Sequence, residues 1–190
     1  MELTPLGIEG AWLAESPLWR DDRGFFREWF KREEVFSKTQ MNFSVQQVNL
    51  SSSNKAVIRG IHYSLAPEGQ AKWVTCVRGS IIDVIVDLRL NSPTFRKVEY
   101  VALNENDGKS ILIGPGLGHG FISIEEESTI SYLLNSPYSP GLEFGIHPFD
   151  SDLNIEWGNF RNVATLSPKD RNSPSLNEQG LLKKLPNNYE

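Results

Sequence analysis

Between residues 43 and 134, apolar and β-branched side chains recur in short runs broken by turn-forming residues. The runs cover 43–51, 56–63, 71–78, 80–90 and 97–103, followed by 109–113, 120–124 and 129–134. Val, Ile and aromatics dominate them, as expected of a pleated, half-buried surface. Ser-Ser-Ser-Asn, Pro-Glu-Gly, Arg-Gly-Ser, Asn-Ser-Pro, Asn-Asp-Gly and Gly-Pro-Gly lie between the runs and carry turn chemistry. Many short strands at this spacing, with little helical periodicity, predict an all-β sandwich or barrel.

Helix signals are few. Lys31 to Lys38 offers Val35 and Phe36 as its apolar contacts. After Ser136 the chain turns rich in Pro, Asn and Gly. There Ser167-Pro168-Lys169-Asp170 reads as a helix start, with a Ser cap, Pro in the first position and an acid in the first turn. A second short helix is predicted over 176–185, weakened by Gly180. There is no internal repeat or linker, so the 190 residues read as one domain.

Composition narrows the function classes. The chain is 39% hydrophobic and 23% charged, with a formal net charge of −5. That balance lacks the basic stripe of a nucleic-acid binder, while leaving room for local arginines to hold a phosphorylated small molecule. Cys76 is the single cysteine, which fits a reducing compartment. The amino terminus lacks the basic start and apolar stretch of a secretory signal. The apolar run 80–90, interrupted by Asp83 and Asp87, is too short to span a bilayer. A cytoplasmic protein with no membrane association is expected.

The residues that could do chemistry are scattered. Arg59-Gly60-Ile61-His62-Tyr63 places a cation and an imidazole on one apolar strand. Residues three apart on a regular strand face opposite sides, and a bulge at Gly60 would turn both inward. Functional and structural readings of His62 are then evenly balanced. His147, before Pro148, reads as structural. Cupin metal sites gather closely spaced histidines and a glutamate, but Tyr63 and Ser64 follow His62. His119 alone would not complete such a site, so no metal is expected. Lys72 within Ala71-Lys72-Trp73 reads as an exposed strand position. Asp83 and Asp87 read as a solvated sheet face, and Tyr132 as core. In Asp21-Asp22-Arg23-Gly24-Phe25-Phe26-Arg27-Glu28 the glycine predicts a tight turn into a strand.

Taken in order, these stretches resemble the dTDP-4-dehydrorhamnose 3,5-epimerase family, cofactor-free cupin-fold enzymes of rhamnose biosynthesis. The resemblance is carried by Asp22 to Glu28, Gln46-Gln47-Val48-Asn49, Arg59 to Tyr63 and the strand of Lys72. It continues through Asp83 to Arg89, Ser92-Pro93-Thr94 and Gly118-His119-Gly120-Phe121. Tyr132, Tyr138-Ser139-Pro140, Glu143 and Leu166 to Asp170 complete it. Ser64, Gly118 and Arg96 depart from the family's usual Gln, Ala and Gly.

The resemblance implies a cupin-type jelly-roll β-barrel with an amino-terminal strand extension and a few short helices, mainly carboxy-terminal. It divides the chain into a dimerisation arm (1–42), a barrel core (43–135) and a carboxy-terminal segment (136–190). It implies an isomerase that inverts C3 and C5 of dTDP-4-dehydro-6-deoxy-D-glucose through enolates, without cofactor. His62 would be the base, Asp170 its partner, Lys72 the oxyanion stabiliser and Tyr132 the acid. Substrate contacts would come from Arg23, Phe26, Glu28, Gln47 and Asn49, and from Arg59, His119, Tyr138, Glu143 and Lys169. Tyr138 would stack on thymine. A homodimer with exchanged amino-terminal strands is implied, Arg23 and Glu28 completing the other chain's pocket. An epimerase acting at C3 alone and a non-catalytic sugar-nucleotide-binding cupin are the competing readings.

Overall fold

The computed structural model describes residues 1–187 apart from 68 and 179. Near the amino terminus the strands are β1 (Glu2–Pro5), β2 (Ala11–Glu15), β3 (Trp19–Asp21) and β4 (Gly24–Phe26). The central series is β5 (Gln47–Ser53), β6 (Ile58–Ser64), β7 (Lys72–Arg78), β8 (Ser80–Asp87) and β9 (Val98–Asn104). Then come β10 (Lys109–Ile113), β11 (Leu117–Ser123), β12 (Ser128–Leu134) and β13 (Glu143–Gly145). Two short α-helices, α1 (Arg32–Thr39) and α2 (Pro168–Arg171), complete the regular elements with a few 3₁₀ turns.

Two antiparallel sheets face each other. One has the order β1-β2-β10-β7-β12-β5, the other β13-β6-β11-β8-β9, and β3 and β4 form a separate hairpin. The expected jelly roll is therefore present as a two-sheet sandwich, with no described ladder closing the sheets into a ring. Strand alternation sorts the side chains into three apolar layers. Val74, Ile85, Ile111, Ile113, Phe121 and Ile130 fill the space between the sheets. On the outer face of the five-stranded sheet, Ile61, Tyr63, Val84 and Val86 pack under Trp157 and Leu176 of the carboxy-terminal segment. On the outer face of the six-stranded sheet, Trp73, Leu112 and Leu133 pack under Val35 and Phe43.

The structure corrects three expectations. Asp83 and Asp87 are fully buried, not on a solvated face. Strand β8 is covered on both sides, so its apolar residues occupy both phases of the pleat and alternation no longer marks an exposed face. The helix expected over 176–185 is reduced to a 3₁₀ turn at Leu182–Lys184. Gly180 takes φ +89°, off any right-handed helical path, while Leu176, Leu181 and Leu185 still reach the core. Strand β11 also starts earlier than expected, at Leu117, which brings His119 into the sheet. Among the described residues no helix is long and apolar enough to cross a membrane.

Candidate active site

A bulge in β6 aims the first site residues. His119 pairs with His62 across the β6–β11 ladder, but Phe121 pairs with Arg59, so three steps on one strand match two on the other. Arg59 and His62 consequently both line the space between the sheets. Gly60 makes this possible with φ +114°. A Cβ there would lie 2.6 Å from both Gly120 Cα and the His119 carbonyl oxygen. Gly60→Ala is expected to destabilise the fold by about 2 kcal/mol or more, from a strained φ and a backbone clash. Thermal unfolding checks it: an unchanged midpoint would mean that the bulge relaxes freely.

The groove between the sheets has two lobes. In the first, Arg59, His62 and His119 of the five-stranded sheet face Ser51, Ile130 and Tyr132 of the other. The second is bordered by Asn49, Gln70, Tyr138, Glu143, Phe144 and Lys169. His62, Lys72 and Tyr132 belong to both lobes and so stand at their junction.

His62 is held by a carboxylate from the far end of the chain. Its Nε2 lies 2.6 Å from Asp170 Oδ1. Asp170 is only 2% exposed and sits in α2. That helix begins as its sequence predicts: Pro168 follows the cap, and the Asp170 N–H donates to Ser167 Oγ at 3.0 Å. Burial pushes the Asp170 carboxyl up, but the His62 hydrogen bond and charge outweigh it and leave the pKa below the ordinary value. An ionised Asp170 only accepts, so Nε2 carries the hydrogen and Nδ1 keeps the basic lone pair.

Lys72 is only 8% exposed, contrary to the exposed position its sequence context suggested. It lies on the inward phase of β7 with Val74 and Cys76. Burial lowers its pKa to about 8, opposed by the charges of Glu143 and Asp83. A second imidazole–carboxylate pair lies alongside, with His119 Nε2 2.8 Å from Asp83 Oδ2. Burial raises the Asp83 pKa and lowers that of His119, each opposed by the other's charge.

The remaining expected residues divide into three groups. Asn49, Arg59, His119, Tyr138, Glu143 and Lys169 line the groove. Gln47 stands behind them: its Nε2 donates to Asn49 Oδ1 at 2.8 Å, and its Oε1 accepts the Tyr138 N–H at 2.9 Å. Arg23, Phe26 and Glu28 do not line it. Arg23 and Phe26 sit on the exposed β3–β4 hairpin, Arg23 paired with Asp21, and Glu28 accepts from Lys31 Nζ at 2.6 Å. Sequence reading missed Asp83 and Gln70. Gln70, two residues before Lys72 and lining the same lobe, donates to Glu143 Oε1 at 3.1 Å. Gln70 precedes the start of β7, and no sequence signal links Asp83 to His119.

The described residues include no group of three or more His, Cys, Asp or Glu arranged to hold a metal ion. The family model for dTDP-4-dehydrorhamnose 3,5-epimerase matches residues 5–178. A dTDP-4-dehydrorhamnose 3,5-epimerase of Mycolicibacterium smegmatis is 41% identical over 94% of this chain and 87% of its own length. A dTDP-4-dehydrorhamnose 3-epimerase of Streptomyces niveus is 40% identical over 94% of this chain and 85% of its own. The solved rmlC epimerase of Mycobacterium tuberculosis superposes with a TM-score of 0.94 at 36% identity, covering 98% of this chain and 94% of that one.

Proposed function

The chain belongs to the dTDP-4-dehydrorhamnose 3,5-epimerase family, and from that premise we propose that it inverts both C3 and C5 of dTDP-4-dehydro-6-deoxy-D-glucose. One observation supports inversion: His62 on one sheet faces Tyr132 on the other across a single groove, with the buried Lys72 at their junction. Both carbons flank the C4 ketone, so either proton can leave if the enolate is stabilised. His62 Nδ1 removes it, and Asp170 supports the imidazolium that forms. Lys72 meets the developing C4 oxyanion. Tyr132, on the opposite sheet, returns a proton to the far face, and inversion follows from that opposition.

In this reading Arg59 and Lys169 hold the diphosphate from opposite lobes, and Tyr138, 54% exposed at the mouth, stacks on thymine. Asn49, His119 and Glu143 offer polar contacts to sugar or nucleoside, with Gln47 buttressing them. Arg23, Phe26 and Glu28 lie away from their own groove, so we assign them to the groove of a second copy reached by the β3–β4 hairpin. A homodimer is the expected species, and sedimentation at about twice 21.5 kDa checks it; a monomer that turns over normally would remove that assignment.

The deciding experiment is NMR of the 4-keto sugar nucleotide with the enzyme in D₂O. Deuterium at C3 and C5 supports double inversion, deuterium at C3 alone assigns a 3-epimerase, and none at either carbon defeats the proposal. A pH profile tests Lys72 separately. A lysine is cationic below its pKa, so oxyanion stabilisation is full at low pH and lost as pH rises through about 8. kcat/KM should fall on that alkaline limb, and Lys72→Arg, which stays charged, should flatten it. An unchanged limb in the variant would assign the titration elsewhere.

A further inference from the structure

Lys72 differs from the other cations of the groove in being buried with almost no hydrogen-bond partner. The Arg59 guanidinium donates to Ser53 Oγ at 2.9 Å and to the Ser52 carbonyl at 3.0 Å, and Lys169 lies in an exposed position. Among the described residues Lys72 forms no ion pair, and its Nζ makes a single long contact, 3.5 Å, to the His62 carbonyl oxygen. The acids nearest in charge are otherwise engaged: Glu143 of β13 accepts from Gln70, and Asp83 of β8 is bonded to His119. His62 of β6, His119 of β11, Tyr132 of β12, Tyr138 and Lys169 are the other titratable groups lining its lobes. Asp170 of α2 is occupied by His62. A buried ammonium without an ion pair gives up its proton more readily, and burial lowers the Lys72 pKa to about 8.

We propose that Lys72 is a carbonyl-capturing amine, condensing with an aldehyde that carries a phosphate or diphosphate to form an imine inside the groove. The neutral Nζ lone pair attacks the carbonyl carbon, a C–N bond forms, and the carbonyl π pair moves to oxygen, which takes a proton. The nitrogen then loses its protons as the hydroxyl leaves as water, giving C=N. Tyr132 and His62 border the same space and can donate and accept these protons. The anionic group follows from Arg59 at one lobe and Lys169 at the other. An imine removes the ammonium on which the proposed epimerisation depends, so aldehydes of this class inhibit. The inference rests on the groove and on Lys72, whatever the sugar.

The test uses pyridoxal 5′-phosphate as probe, followed by borohydride reduction and peptide mapping, with epimerase activity measured on the same samples. The expected product is a label on Lys72 with activity lost in proportion, its rate rising with pH to half its maximum near 8. Ordinary surface lysines would continue to gain reactivity towards pH ~10.4. Thymidine diphosphate at ten times its Kd should slow labelling of Lys72 by about tenfold. Lys72→Arg keeps the cation, cannot form the imine and should lose the label; Lys169→Gln should keep the label with weaker saturation by the probe. Label confined to other lysines overturns the proposal, as does a Lys72 label insensitive to thymidine diphosphate. If Lys72→Arg fails to fold, the pH and protection arms on the unmodified protein decide. Labelled Lys72 in a protein that epimerises nothing would keep the capture site and defeat the proposed function. An active epimerase with unlabelled Lys72 would do the reverse.

Discussion

Asp170→Asn should lower kcat by roughly 10³–10⁴ while leaving the fold in place. The carboxylate does two things an amide cannot do together. It accepts from His62 Nε2 at 2.6 Å, which leaves the basic lone pair on Nδ1, and its negative charge stabilises the imidazolium formed on proton removal. Asparagine can still accept through its oxygen, but it brings no charge and can rotate to offer N–H instead. That rotation would favour the other tautomer and point a hydrogen at the substrate carbon. The change is nearly isosteric at a site that is 2% exposed, and the helix cap uses the backbone N–H of residue 170, not its side chain. Circular dichroism and the unfolding midpoint should therefore move little while kcat collapses. Turnover within a few fold of the unmodified enzyme, with an unchanged pH profile, would reduce Asp170 to a residue of the helix start.

How these residues come together was only partly legible in the chain. The strands of the central region stand close to where turn residues and β-branched runs place them, because those signals are local. The Ser167-Pro168 start of α2 is also local, and it was readable for the same reason. The partner of Asp170 is not: His62 lies 108 residues away, and no spacing rule connects them. The bulge at Gly60 could be suspected from one glycine between two polar residues, but choosing it over a regular strand needed Gly120 opposite. Lys72 and Asp83 mislead for a physical reason. A charged residue in an alternating strand points to water when one sheet face is bare, and here both β7 in the six-stranded sheet and β8 in the five-stranded one are covered on both faces. Tyr132 contacts the inter-sheet core and the groove at once, so its composition-level reading as core was half of its environment. The grouping of these residues came from the family resemblance.

Tyr132→Phe separates proton removal from proton return. His62 and Tyr132 stand on different sheets, β6 and β12, and face the same groove. Removing the phenolic hydroxyl leaves the base, its carboxylate and Lys72 in place, so the enolate should still form. With no acid on the far face, the proton on His62 can return only to the side it left. In D₂O the variant should then exchange substrate hydrogen for deuterium with retention of configuration and yield little inverted product. Losing a general acid costs roughly 10²–10⁴ in rate, so inversion should drop by about that factor while exchange falls much less. The ring is conserved and its packing against the inter-sheet core remains, so stability should hardly change. The measurement is a pair of rates from one NMR time course, deuterium uptake into recovered substrate against appearance of epimer. Equal losses in both would show that Tyr132 acts before the enolate forms. Inversion near the unmodified rate would mean that water or another groove residue delivers the proton, and the two-sided mechanism would lose its acid.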